Sequence, residues 1–591
     1  AALVAGNTVI IKSAEQTPYV AHRLVEILHR VGVPKDALIH LPGTGETVGR
    51  ALVASPEVDM VAFTGSREVG IEISRIAAGV ELTKGGIKHV VAEMGGKNPI
   101  VVFADADLEE AALAILTSAF GHAGQKCSAA SRVLVERSIH RELADLLVEG
   151  ARSMALGPAS EPGTAINPVI DDTAAARVRE WVGVARCEGA SLLDHQEKAQ
   201  AGTLLGPVVV SLEGSRAGAA RIAREEIFGP VLALLPFDTT EEAITLANST
   251  EYALTAGVFS RSPARVRQMV QGLRAGNVYV NREITGARVG IEPFGGWGLS
   301  GTGPKAGGPE YLHAFITRRD YPDSGQTAEV QDAPAVLAET PSHLAPVQGE
   351  IGVIPWSVSP ITRAEVIMRL LTLLSEERSD IQQALTTARA TDERTPAQRI
   401  AELRALGASL AGRITEIMNT EPTMPVPGQH TYTRWDEPRG SGLITVDESA
   451  SPAELFALML GGLLACNGIV VTVPPSLAQV AKAFTRLLHH ARVPSSSLRY
   501  QANGSATAWL AEACRLAAEP IAFAGISVRE ETARRLAQVL AAPWPEQRWL
   551  KAMISLTDGP LPWEDGFLRR FALPKTVAIR TLRHGADLVF V

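Results

Sequence analysis

Cysteine is scarce. Only four occur in 591 residues, Cys127, Cys187, Cys466 and Cys514, and no two form a C-x-x-C pair. That pattern argues against a disulfide framework and a zinc knuckle, and a reducing compartment, the cytoplasm, is the expected setting. An excess of charge of one sign is lacking too. The net charge is -8 and the pI near 6.0, which leaves no footprint for nucleic acid or an anionic membrane. No apolar run is long and unbroken enough to span a bilayer. The nearest, Leu455 to Val473, is divided by Asn467-Gly468 and reads as a buried helix end, a turn and a buried strand. A signal-peptide pattern is also missing.

The composition is that of a globular protein, 46% apolar and 20% charged, and too long for a single core. Val9–Ile11, Leu38–His40 and Val61–Phe63 read as strands and Pro18–Val31 as a helix. Such alternation predicts an α/β fold with a parallel sheet. Ala1 to Ala5 reads as a helix end and Gly6-Asn7 as a turn, so the chain is expected to begin inside a domain. Periodicity fades from Arg318 to about Gly349, where a linker is expected, and Ile351 to about Ala411 reads as mostly helical.

The sequence also repeats itself. Ala2 to Ile11 aligns with Gly462 to Val471 at an offset of 460, Val33-Pro34 with Val493-Pro494, and Leu38 with Leu498. At the same offset, without a gap, Phe63-Thr64-Gly65 falls on Phe523-Ala524-Gly525. A second copy of one α/β unit is expected, stripped of chemistry. Thr472 replaces Lys12, Met553 stands opposite Glu93, and no cysteine comes after Cys514.

The chemistry concentrates in the first copy and in the α/β stretch that continues to about residue 320. Gly124-Gln125-Lys126-Cys127-Ser128 offers a nucleophile, and Lys126 with small neighbours predicts a setting that favours thiolate. Glu93-Met94-Gly95-Gly96-Lys97-Asn98-Pro99 sets a carboxylate after a strand, and its two glycines let backbone approach a ligand. Lys12 and Glu15 could share ribose hydroxyls. Thr64, Gly65 and Ser66 join a strand to a helix start, a place for a pyrophosphate. Glu226 and Phe228 put a carboxylate beside an aromatic ring.

In this order and spacing these motifs resemble the aldehyde dehydrogenase superfamily over residues 1–320. The resemblance implies Cys127 as nucleophile, Glu93 as base and NAD as cofactor, held by Lys12, Glu15, Thr64, Gly65, Ser66, Gly95, Glu226 and Phe228. No metal is implied. It also implies a truncated Rossmann-like NAD domain and an α/β catalytic domain. An oxyanion-holding Asn of the family would precede Ala1, so this chain alone is expected to be inactive.

Asn281 to Ala287, Pro293 to Gly296 and Ser300 to Pro309 resemble the enzymes that oxidise L-glutamate γ-semialdehyde, in equilibrium with 1-pyrroline-5-carboxylate. By that resemblance Ser128, Gly286, Ala287 and Phe294 bind the substrate. The linker, the degenerate copy and the closing Phe567–Lys575 and Arg583-His584-Gly585-Ala586 resemble long bifunctional proline-utilising enzymes. The implied partners are an upstream flavin-dependent proline dehydrogenase domain and further copies in a homo-oligomer. For the full-length protein, peripheral contact with the inner membrane is also implied. His584 has no companion ligands at metal spacing and is read as a packing residue.

The expected boundaries are 1–95 for the C-terminal part of the NAD-binding domain, 96–290 for the catalytic domain, and 291–320 for a return to the NAD and oligomerisation region. A linker at 321–350 precedes the degenerate unit at 351–591. Two other readings stay open: another semialdehyde dehydrogenase, such as one for succinic semialdehyde, or a scaffold with a relic dehydrogenase half.

Overall fold

Short apolar runs between glycine and proline breaks form strands, and most of these pair in parallel. The computed structural model describes residues 1–195, 202–213, 217–316, 353, 355, 360–376, 379–387, 394–417, 420–503, 505–542, 551–556 and 561–580. The expected linker at 321–350 and the tail residues Arg583 to Ala586 lie outside them.

β1 (Val9–Ile11) pairs with β2 (Leu38–His40), and β3 (Met60–Thr64) with β4 (His89–Glu93), all in parallel. Helix Pro18–Arg30 begins on a proline, whose missing N–H costs nothing in a first turn. Helix Arg67–Gly79 is capped by Ser66, whose hydroxyl accepts from the Val69 N–H. Next come β5 (Asn98–Val102), β6 (Ala130–Glu136), β7 (Ala190–Asp194), β8 (Val208–Ser211) and β9 (Val231–Phe237). β10 (Tyr252–Ala253), β11 (Thr255–Phe259), β12 (Asn277–Val280) and β13 (Trp297–Gly298) complete the first half. β5, β9, β11 and β12 are buried along their whole length, as a parallel sheet covered on both faces requires.

The second half adds β14 (Glu421–Pro422), β15 (Gln429–Pro438), β16 (Ser441–Val446) and β17 (Gly468–Thr472). After them come β18 (Leu498–Tyr500), β19 (Phe523–Ser527), β20 (Ala552–Ser555) and β21 (Ala572–Arg580). Five of these strands form an all-parallel sheet in the order β18-β17-β16-β19-β20, the doubly wound arrangement. The others join the first half in a ten-stranded sheet, β14-β15-β21-β12-β11-β5-β6-β9-β8-β7. Within it β21 runs parallel to β12, with Thr576 opposite Asn277, and β15 runs antiparallel to β21.

The repeat is present, with one correction. β1, helix Pro18–Arg30 and β2 correspond to β17, helix Ala478–His490 and β18 at the offset of 460. β3, helix Arg67–Gly79 and β4 correspond to β19, helix Glu530–Ala541 and β20 at 463. Strand pairing fixes this register, Met60 opposite His89 and Phe523 opposite Ala552. The gapless match of Phe63-Thr64-Gly65 to Phe523-Ala524-Gly525 is therefore a chance likeness. Leu556, not Met553, takes the place of Glu93, and neither is a carboxylate.

The copies differ in what covers them. Helices Pro360–Ser375, Ser379–Thr387 and Pro396–Gly412 share a core with Val480, Phe484 and Leu487 of helix Ala478–His490. At the matching positions of helix Pro18–Arg30, Val20, Leu24 and Ile27 are 73%, 51% and 46% exposed. The equivalent helices Arg67–Gly79 and Glu530–Ala541 pack on each other, with Arg534 3.1 Å from Glu81. Among the described residues no helix is long and apolar enough to cross a membrane.

Candidate active site

The segment that carries Cys127 is set by a sharp turn. Helix Leu108–Phe120 stops at Gly121, and His122 and Ala123 come next with φ of 54° and 53°, a region that non-glycine residues rarely enter. Asn98, at the start of β5, then ties this segment down. Its Nδ2 donates to the carbonyls of Cys127 at 2.7 Å and Ala129 at 2.9 Å, and its Oδ1 accepts from the Thr255 N–H. Asn98 sits inside a motif read for its glutamate, and nothing in the sequence distinguished it from a turn residue.

Glu93 ends β4 inside a wrap of backbone. A Cβ at Gly295 would stand 2.8 Å from its Oε1, and one at Gly301 would stand 3.0 Å from Oε2. The Gly296 N–H donates to Oε2 at 3.4 Å, while Oε1 is enclosed with no hydrogen-bond partner among the described residues. Burial pushes the carboxyl up to about 8, against the Gly296 N–H and the field of Lys305. A carboxyl of that acidity exchanges protons near neutral pH.

The wrap itself is anchored on β4. Thr302 Oγ1 accepts from the Ala92 N–H at 2.9 Å, and Met94 N–H donates to Ser300 O at 2.9 Å. Lys305, fully buried, donates to Asn277 Oδ1 at 2.8 Å. Thr302 and Lys305 lay in a run noticed for its glycines. Their buried polar roles arise from strand contacts that spacing cannot show.

Cys127 is half-buried, and its setting overturns one expectation. Burial, then Glu93, then Glu226 push the thiol up to about 11, opposed by the N–H groups of Ser128 and Cys127. Lys126 does not make this an electropositive pocket. Two carboxylates and desolvation act on the thiol instead, and all three disfavour a further negative charge.

Glu226 lies against Gly95 and Gly96, the two glycines that follow Glu93 and Met94. Its Oε1 accepts from the Gly96 N–H at 2.9 Å, and a Cβ at Gly95 would fall 1.9 Å from its Oε2. Nearby, the buried Lys97 Nζ has no hydrogen-bond partner among the described residues. Burial and then Arg132 push Lys97 down to about 7, with Glu226 and Glu225 opposing. Phe228 is 37% exposed with φ 55°. The Gly65 N–H, just ahead of the Ser66 cap, donates to Glu93 O at 3.1 Å and so links the helix start to the carboxylate strand. Lys12 and Glu15 bond to each other at 2.9 Å, and no hydrogen bond or ion pair among the described residues joins them to this cluster.

Of the remaining residues, Ser128 is buried beside Cys127, Gly286 is exposed with φ 85°, and Ala287 is half-buried. Phe294 is bridged to Ala306.

Residues 1–320 match the model of the aldehyde dehydrogenase family. The chain belongs to the aldehyde dehydrogenase family. It is 42% identical over 312 residues to a 1-pyrroline-5-carboxylate dehydrogenase of Geobacillus kaustophilus, covering 53% of this chain and 60% of that protein. The chain thus spans less than two thirds of the curated relatives it matches. Proline utilization A from Bdellovibrio bacteriovorus, inactivated by N-propargylglycine, is similar at a TM-score of 0.51 and 42% identity, over 53% of this chain and 32% of that one. A 1-pyrroline-5-carboxylate dehydrogenase from Thermus with bound NAD is similar at a TM-score of 0.51 and 38% identity, over 52% and 59%.

Proposed function

We propose that this aldehyde dehydrogenase oxidises L-glutamate γ-semialdehyde, in equilibrium with 1-pyrroline-5-carboxylate, to L-glutamate with NAD. The observation that carries the reading is the pairing of a half-buried thiol with a carboxyl held near 8 inside a glycine wrap. Identity of 42% to enzymes named for that substrate supports the choice of aldehyde.

In this reading Cys127 releases its proton to solvent water as its sulfur attacks the aldehyde carbon, and the C=O electron pair moves onto oxygen to give the thiohemiacetal as its oxyanion. The Cys127 N–H faces the developing oxyanion. Loss of hydride from that carbon leaves a thioester on Cys127, and bound NAD supplies the hydride acceptor. Glu93 then takes a proton from water as its oxygen attacks the thioester. The C–S bond breaks, glutamate forms its new carboxylate, and the thiolate returns.

The residues present fit the dinucleotide. Gly95 leaves Glu226 against bare backbone, and the Ser66-capped helix offers its first N–H groups. Glu226 and Phe228 would face the nicotinamide ribose. Thr64, Gly65 and Ser66 would face the pyrophosphate, and Lys12 with Glu15 the adenosine ribose. Ser128, Gly286 and Ala287 would hold the amino-acid end of the substrate, and Phe294 its aliphatic part. Residues 1–95 and 96–290 would serve as NAD and catalytic domains, and 351–591 as a non-catalytic cover. A proline dehydrogenase partner, further copies of the chain and a cytoplasmic setting complete the proposal. NADH formation from pyrroline-5-carboxylate, set against succinic semialdehyde, tests it. Faster turnover of the latter would reject the substrate.

A further inference from the structure

The loop leaving β12 carries Gly286 and Ala287, and its fold depends on a side chain from the other half of the protein. Just past those two residues, Arg288 closes on Glu292. Its N–H and Nε donate to Glu292 Oε2 at 2.9 and 3.1 Å, and its Nη2 donates to Oε1 at 2.6 Å. Arg282, on the near side of the loop, donates to the same Oε1 at 3.1 Å. Glu292 is fully buried, so this carboxylate is the pin around which residues 282–292 are wound.

The pin is completed by Gln429, the first residue of β15. Its Nε2 donates to Glu292 Oε1 at 2.6 Å, and its Oε1 accepts from Arg288 Nη2 at 3.0 Å and from Arg282 Nη1. An amide can serve both sides at once, donating to the carboxylate through its nitrogen and accepting from two guanidiniums through its oxygen. Its Nε2 is also fixed by Thr431 Oγ1 at 2.6 Å. A second tie comes from the same segment, since the Met424 N–H donates to Gly290 O at 3.0 Å. Gly290 has φ 75°, and a Cβ there would stand 2.7 Å from the Met424 sulfur, so strand segment and loop are in close contact. Gln429 itself is held in register by β21, which is bonded to β12, the strand from which the loop departs.

We infer that Gln429 is a positioning residue for substrate choice: through Glu292 and Arg288 it holds Gly286 and Ala287 where they receive the charged end of an amino-acid aldehyde. The inference rests on the proposed role of that loop. It gives the non-catalytic half a direct part in recognising substrate, by presenting one amide rather than by contacting the ligand. Loosening the loop costs binding of the charged end and leaves the thiol and the base where they are, because neither Cys127 nor Glu93 bonds to it. A simple unbranched aldehyde, which lacks that end, is indifferent to the change.

The test uses the full-length protein with Gln429→Met, which keeps the length and bulk and removes the amide, and Gln429→Ala. Hydrogen exchange of residues 286–290 and of β12 is measured together with kcat and KM for pyrroline-5-carboxylate and for hexanal. Both variants are expected to exchange about tenfold faster in the loop with β12 unchanged. KM for pyrroline-5-carboxylate should rise about tenfold at near-constant kcat, with hexanal kinetics unaltered. Wild-type exchange and KM in the Met variant would overturn the inference, as would equal losses for both aldehydes. If the loop loosens but the unaltered chain oxidises hexanal in preference to pyrroline-5-carboxylate, the proposed substrate is wrong and the selective role falls with it. Loop exchange unchanged beside normal pyrroline-5-carboxylate turnover rejects the role of Gln429 alone.

Discussion

A single carboxyl governs the pH behaviour of the site. Glu93 is raised from its ordinary 4.5 to about 8, chiefly by burial. It must be ionised to take a proton from water, so thioester hydrolysis should climb as pH rises through about 8. In Glu93→Gln that limb should vanish, and one equivalent of NADH should form per site with turnover slowed on the order of 10²–10⁴-fold, read by stopped flow. The stability consequence has the opposite sign. Between about 4.5 and 8 the folded protein keeps a proton that the unfolded chain has released, so this contribution is lost as pH rises through 8. Melting curves should therefore show Glu93→Gln gaining on the wild type between pH 6 and pH 9. Gly95→Ala, which forces a methyl toward Glu226, should raise KM for NAD about tenfold with substrate KM little changed. Cys127 and Glu93 stood out in the sequence as candidates, because each stands in a motif with glycine or small neighbours, and the structure brings them near enough for Glu93 to push the thiol up. The thiol's environment did not stand out, since the carboxylates that face Cys127 come from residues 34 positions before it and 99 after it.

At the scale of elements, β21 joins the two halves through its pairing with β12. Lys575 is fully buried, bonds to Glu437 on β15, lies 5.6 Å from the centre of the Trp297 ring and donates to Val270 O at 3.1 Å. The Trp297 Nε1–H in turn donates to Pro574 O at 2.8 Å. Lys575→Met would leave Glu437 buried without its cation, at a cost of about 3–5 kcal/mol in urea denaturation. Adding Glu437→Leu should recover most of that loss. The strands up to β4, helix Pro18–Arg30 and the start of helix Arg67–Gly79 were readable from alternation and breakers, and so was the repeat at β17. The three-residue insertion before β19 was not, because Phe63-Thr64-Gly65 and Phe523-Ala524-Gly525 share apolar and small residues that satisfy either alignment. The seating of β21 on β12 was also hidden, since no local pattern names a strand's partner 299 residues away.

For the molecule as a whole, the proposed reading gives the repeated unit an architectural part in one half and a chemical part in the other. In the C-terminal copy the places where a dinucleotide would meet the sheet are filled from within. Asn503 Nδ2 donates to Thr472 Oγ1 at 2.5 Å, and Asp447 Oδ2 accepts from the Arg529 N–H ahead of helix Glu530–Ala541. Titration calorimetry should accordingly find one NAD per chain, and a second saturable site would contradict this. The central claim is that Cys127 forms a covalent bond to an amino-acid aldehyde and that Glu93 releases it. Its most direct test is to mix Glu93→Gln with NAD and pyrroline-5-carboxylate, quench in acid and map the adduct by mass spectrometry. The account predicts a glutamyl thioester on the peptide that contains Cys127, absent from Cys127→Ala. NADH formed with no adduct at Cys127, or an adduct on another cysteine, would contradict it.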